Sequence, residues 1–118
     1  IFCIGETLQE KRKKITKKVL NKQIKLGLNR IKNNKNILIA YEPVWSIGTG
    51  LIPESKELFD TIRFIKKVKK NNKVLYGGSV NPKNINQLKS ITNIDGYLIG
   101  GASQDSKKFI DIIKKTYN

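Results

Sequence analysis

Chemistry in this chain centres on a carboxylate set directly before a proline. Glu42 follows Asn36-Ile37-Leu38-Ile39-Ala40-Tyr41, a short apolar run rich in β-branched residues that reads as a buried strand. The carboxylate therefore sits at a strand's C-terminal tip. Pro43 biases Glu42 away from the helical region, and Val44, Trp45 and Ile47 supply an apolar wall beside it. In Gly48-Thr49-Gly50 the glycines let the backbone swing and approach a ligand closely. A base at a strand end under a hinged apolar lid suits proton abstraction, with desolvation by Val44 and Ile47 raising its basicity. The plain alternative is a Glu-Pro turn whose carboxylate is held by backbone donors.

Two later stretches repeat the arrangement of strand and glycine loop. Tyr76-Gly77-Gly78-Ser79-Val80-Asn81-Pro82 follows Val74-Leu75, and Gly100-Gly101-Ala102-Ser103 follows Gly96-Tyr97-Leu98-Ile99. Helical patterns lie between them. Thr7-Leu8-Gln9-Glu10 has capping-box spacing, so a helix begins near Leu8. Ile15, Val19, Leu20, Ile24, Leu28 and Ile31 then recur at helical steps, as one long helix or two broken near Lys14 or Gly27. The next helix opens near Pro53-Glu54-Ser55, with proline in its first turn, carries Leu58, Ile62, Ile65 and Val68, and ends at Asn71-Asn72. Lys73 to Tyr76 is a third strand. Asn81-Pro82 starts a helix with Ile85, Leu88 and Ile91 inward, and a last one from Ser103 or Asp105 carries Phe109, Ile112 and Ile113.

Strand and helix alternate four times over short loops, which predicts an α/β fold of parallel strands joined by right-handed crossovers. A complete eight-fold β/α barrel takes roughly 250 residues, about 30 per unit, so 118 residues hold about four units in one domain, 1–118. Active groups of such a fold lie at the strands' C-terminal ends, where Glu6, Glu42, Ser79 and Gly100-Gly101 fall. An open four-strand sheet leaves two edges and calls for a partner, either a missing half-barrel or a second copy. Ile1 opens in the middle of an apolar run and reads as a truncation point.

Charge and cysteine usage exclude several function classes. The formal net charge is +15, from 24 Lys and Arg against 9 Asp and Glu, but the excess is lysine between the apolar positions of predicted helices. No finger, RNA-recognition or helix-turn-helix signature accompanies it, so no nucleic-acid partner is expected, although a basic field favours a phosphorylated small substrate. Cys3, the single cysteine, forms no internal disulfide and reads as a small buried strand residue. Without histidine no metal-ligand spacing arises, and neither metal nor cofactor is expected. No apolar run approaches the ~18 residues of a membrane span and no leader pattern is present, so a cytoplasmic protein without membrane contact is expected.

Four blocks together resemble the triosephosphate isomerase family: Cys3-Ile4-Gly5-Glu6, Tyr41 through Gly50, Tyr76 through Pro82, and Asp95-Gly96 through Ser103. They match the C-terminal half of that family's (β/α)8 TIM barrel, in order and each at a strand end. The resemblance implies an aldose–ketose isomerase of glycolysis and gluconeogenesis, interconverting dihydroxyacetone phosphate and glyceraldehyde 3-phosphate through an enediolate, without cofactor. It makes Glu42 the base, and Gly48, Ser79, Gly100 and Gly101 the phosphate cradle. Pro43 through Gly50 become the lid. Glu6 would bond Trp45 in an open lid, and Tyr76 and Ser79 would hold the lid shut. Leu51-Ile52-Pro53 is a less polar second hinge than the family pattern, and Gln104 stands where an apolar residue is common. The resemblance also implies a homodimer of the full-length protein. The family's electrophilic histidine, substrate lysine and asparagine, and dimer loop belong to the half not represented here, which predicts little activity from these 118 residues alone.

Overall fold

The computed structural model describes residues 1–118. Its strands are β1 (Phe2–Ile4), β2 (Ile39–Tyr41), β3 (Val74–Gly77) and β4 (Gly96–Leu98), and its helices α1 (Leu8–Arg12), α2 (Thr16–Leu28), α3 (Ser55–Val68), α4 (Ile85–Lys89) and α5 (Ser106–Tyr117). All strand pairs are parallel, in the order β1-β2-β3-β4. Because the order advances one strand at a time without reversing, right-handed crossovers place every helix on the same face, as in a barrel wall. The fold is thus α/β with four β/α units, in keeping with a segment of a TIM barrel.

The pleat sorts the strand residues between the two faces. Ile4, Ile39, Tyr41, Val74 and Tyr76 point to the helical side and are buried with Leu20, Ile24, Leu58, Ile62, Ile65, Ile85, Leu88 and Ile112. Cys3, Ala40, Leu75, Gly96 and Leu98 alternate to the other side. No helix covers that face; Ala40 at its centre is buried, but Cys3 on the edge strand is exposed there, contrary to its reading as a buried strand residue. Partial desolvation and then the neighbouring Glu42 carboxylate push its thiol upward.

Local chemistry explains where the elements begin and end. The capping box at α1 is formed, with Glu10 N–H donating to Thr7 Oγ1 at 3.2 Å and Thr7 N–H to Glu10 Oε2 at 2.8 Å. The first helical stretch is two helices, broken at Lys14, whose φ of 57° lies in the left-handed region. Gly27 stays inside α2, because a Cβ there would overlap the Phe2 ring. Strand β2 is shorter than its apolar run: the Asn72 amide bonds the carbonyls of Asn34 and Ile37, each at 2.8 Å, and holds that segment in a turn. α3 ends at Val68, before Asn71-Asn72, and Pro53 lies outside it, before its first residue Ser55.

Asn81-Pro82 does not open a helix. Asn81 Oδ1 accepts from the amides of Lys83 and Asn84, and Asn84 Oδ1 from that of Asn81, closing a turn that delays α4 to Ile85. β3 runs one residue further than expected, to Gly77, and β4 stops at Leu98. The last helix starts at Ser106 with Asp105 as its cap; Ile112 is buried, while Phe109 and Ile113 are exposed. Ile31 is also exposed, beyond the end of α2.

Asp95 ties α3 to the sheet. Its carboxylate accepts from Val74 N–H at 2.8 Å and pairs with Lys66 Nζ at 2.8 Å. Desolvation pushes this carboxyl up, but the bonds from Lys66 and Val74 outweigh it and hold the group below the ordinary 3.8. A depressed folded value means that the unfolded chain binds the proton more readily. The contribution of Asp95 is therefore present above the ordinary carboxylate value and lost as pH falls through the lower folded one. Acid titrations of stability are expected to show this loss, and Asp95→Asn to flatten it; an unchanged acid limb would contradict the assignment.

Candidate active site

Glu42 leaves the sheet one residue after β2, fixed by its own amide, which donates to the Ile4 carbonyl at 2.8 Å. Ala40 and Glu42 share a face of the strand, and Gly77 ends β3 beside them. A Cβ on Gly77 would stand 2.8 Å from Glu42 Cγ and 3.0 Å from its Oε2, so the glycine makes room for the carboxylate. Glu42 is half-buried. Val44 and Ile47 leave it uncovered: they are 51% and 52% exposed, Val44 in the single 3₁₀ turn Val44–Ser46 and Ile47 in extended backbone just after it. The expected desolvation of the base by these two residues is absent from this conformation.

The segment expected to form a lid, Pro43 to Gly50, is anchored at both ends by polar groups. At its start, Val44 N–H donates to the Glu6 carbonyl at 2.9 Å, and the Trp45 indole N–H to the Glu6 carboxylate at 3.1 Å. Glu6 is fully buried and also accepts from Tyr41 OH at 3.0 and 3.1 Å. Burial, and then the charge of Glu6, push the Tyr41 phenol far up, so it remains a donor. Lys11, ion-paired with Glu57, stands 4.8 Å from the centroid of the Trp45 ring.

Further along, Ser79 Oγ donates to the Ser46 carbonyl at 2.6 Å and accepts from Gly50 N–H at 2.8 Å. Tyr76 OH lies 3.1 Å from Ser46 Oγ. Burial chiefly pushes the Tyr76 phenol up to about 12. Thr49 Oγ1 closes the tip onto the carbonyls of Trp45 and Ser46, at 3.1 and 3.2 Å. The Glu6–Trp45 bond, expected of an open lid, and the Ser79 bond, expected of a shut one, are made in the same conformation.

A cavity of about 830 Å³ brings together Glu42, Gly48, Ser79, Gly100 and Gly101, with Ile47 and Gly50 on its lid side. Gly48 takes a φ of 69°, which favours glycine, and a Cβ on Gly48, Gly100 or Gly101 would meet no protein atom within 4 Å. Such positions leave backbone open to a ligand. Asp105 takes the first amides of α5, those of Lys107 and Lys108, at 2.9 and 3.2 Å. The helical terminus at the glycine pair is therefore the 3₁₀ turn Gly101–Gln104. Pro43, Val44, Trp45, Thr49, Tyr76 and Glu6 lie outside this lining.

Sequence reasoning missed four residues here. Lys83, Lys107 and Lys108 reach the cavity and make it cationic, with only Asp111 and Glu42 opposing them. Their signal was lost in a uniformly lysine-rich chain. Ser46 is the other, a fully buried hydroxyl within the lid. Its neighbours in sequence give no hint of that burial.

A model of the family described as triosephosphate isomerase matches residues 1–116. The chain belongs to the triosephosphate isomerase family. Among relatives named triosephosphate isomerase, that of Thermodesulfovibrio yellowstonii is 41% identical over 122 residues, covering 97% of this chain and 50% of the relative. The protein from Leptospira biflexa is 43% identical over 97% of this chain and 51% of its own length. The one from Zygosaccharomyces bailii is 43% identical over 96% and 49%. This member of the triosephosphate isomerase family thus spans about half the length of the curated relatives it matches. No helix in it is long and apolar enough to cross a membrane.

Proposed function

We propose that these residues, a single domain 1–118, carry the base, lid and phosphate cradle of a triosephosphate isomerase. The observation that supports this most is the convergence of Glu42, the Gly48 loop, Ser79 and the Gly100-Gly101 loop on one cationic cavity at the strands' C-terminal ends. In this reading, Gly48, Ser79, Gly100 and Gly101 present backbone N–H groups to the phosphate of a triose, while the Ser79 hydroxyl stays bonded to the Ser46 carbonyl and the Gly50 amide. Glu42 then takes a proton from the carbon beside the carbonyl of dihydroxyacetone phosphate and returns it to the neighbouring carbon. In the family this chemistry is divided between a glutamate base under a closing loop and a neutral histidine electrophile.

The chain has no histidine, so the group that polarises the carbonyl comes from outside these residues. The open edges of β1 and β4 fit closure by the other half of a barrel, with a second copy as the alternative, and the complete protein as a cytoplasmic homodimer. No nucleic acid or membrane enters this account. A non-catalytic half-barrel that binds phosphorylated ligands is the competing reading.

Inorganic phosphate titrated into the intact natural protein that contains these residues tests the cradle. Amide resonances of Gly48, Gly100 and Gly101 are expected to shift together along one saturable curve. Shifts confined to lysines on the outer helix faces would contradict the assignment.

A further inference from the structure

The hydroxyl of Ser46 has no part in base or cradle, yet it is the only fully buried polar side chain of the lid. It contacts the Leu51 carbonyl, across the lid from its own position, and Tyr76 OH at 3.1 Å. Tyr76 OH in turn lies 3.1 Å from the Gly78 carbonyl. Three contacts share two hydroxyl protons. Only two arrangements put a proton between the two hydroxyl oxygens. In one, Ser46 donates to Leu51 and Tyr76 donates to Ser46, which staples the two ends of the lid together. In the other, Ser46 donates to Tyr76 and Tyr76 donates to Gly78, which releases the Leu51 carbonyl. If each hydroxyl donates outward instead, two oxygens face one another at 3.1 Å with no proton between them. Keeping one proton between the two oxygens thus requires both hydroxyls to turn together.

We propose that Ser46 and Tyr76 form a two-state hydroxyl switch that holds or frees the second hinge of the lid at Leu51, making Ser46 a positioning residue. The inference rests on the lid reading given above. Two further observations carry it. The Ser46 carbonyl accepts from Ser79 Oγ, and that same oxygen receives the Gly50 amide, so the seating of Ser46 is transmitted to the tip of the lid. Gly78 closes the third side: a Cβ there would stand 2.7 Å from Ser46 Oγ and 2.8 Å from Tyr76 OH, so the two hydroxyls occupy the space a side chain would fill.

Amide hydrogen exchange in the intact protein tests the switch, read at Gly50, whose N–H is bonded on an exposed segment. Ser46→Ala removes the bond to the Leu51 carbonyl and is expected to speed exchange at Gly50 about tenfold, the scale of one lost hydrogen bond. Exchange at Val74, in the core strand β3, should stay within about twofold. Tyr76→Phe should act similarly, and the double variant should exceed neither single by more than about twofold, because the two hydroxyls act as one unit. Where dihydroxyacetone phosphate is turned over, kcat should fall more than KM rises. Unchanged Gly50 exchange in Ser46→Ala, equal acceleration at Val74, or additive effects in the double variant would each overturn the switch. A protein without turnover that still shows the Gly50 effect would overturn the isomerase reading and leave the switch standing.

Discussion

Glu42→Gln in the intact protein is expected to lower turnover of dihydroxyacetone phosphate by about 10²–10⁴-fold, the usual contribution of a positioned general base. Glutamine keeps the volume of the side chain beside Gly77, where the room is set by a missing Cβ, but its amide accepts no proton at neutral pH. Phosphate affinity should be retained, because Gly48, Gly100 and Gly101 bind through backbone groups that the substitution does not touch. Turnover and binding should therefore separate. Steady-state kinetics beside a phosphate titration measure both. Full turnover in the variant would remove Glu42 from the mechanism, and a joint loss of binding and turnover would show a collapsed site.

Gly5→Ala is the substitution with the largest expected effect on stability. A Cβ at Gly5 would overlap the Glu42 carbonyl oxygen and come within 3.0 Å of Pro43 N, both rigid backbone atoms. Relief requires β1 and β2 to separate at the ends that carry the site. Three sets of bonds resist this shift, one from α2 to Gly5 and two between the strand ends. The Gln23 amide grips Gly5 N–H and C=O, at 2.9 and 3.0 Å. Glu42 N–H is bonded to Ile4, and Val44 N–H to Glu6. Overlap with backbone belongs among the severe substitutions, so a loss of about 3 kcal/mol or more is expected, read from the urea midpoint. A change within about 0.5 kcal/mol would mean that the approach of Gly5 to Glu42 is looser than described.

Much of this arrangement is legible in the residues because its signals are local. Glu42-Pro43 after an apolar run marks a strand end with its carboxylate, and the glycines at 48, 78, 100 and 101 mark the loops by their own backbone chemistry. Apolar steps such as Leu58, Ile62 and Ile65 declare a helix face without reference to any neighbour. What the residues concealed depends on distant partners. β2 loses its first residues to an amide at Asn72, some 35 positions away. Cys3 has the character of a buried strand residue but lies on the uncovered face of the sheet, a property of what packs there and not of the strand.

The lid shows the same division. Its glycines announce a loop, but one 3₁₀ turn exposes Val44 and buries Ser46, and Ile47 just after it is exposed as well. A reading of apolar residues as cover inverts that pattern. Asp105 caps α5 with its own carboxylate, and the glycine pair opens a separate short turn.

The most direct test of the central claim, that Glu42 is a carbon-proton base within a triosephosphate isomerase site, is solvent-deuterium incorporation into dihydroxyacetone phosphate by the intact natural protein in D₂O. Proton transfer through an enediolate predicts deuterium at the carbon that bears the abstracted proton and in the glyceraldehyde 3-phosphate formed, at a rate that falls with Glu42→Gln. Phosphate binding with no deuterium at carbon in the intact protein would contradict the claim and leave a phosphate-binding half-barrel.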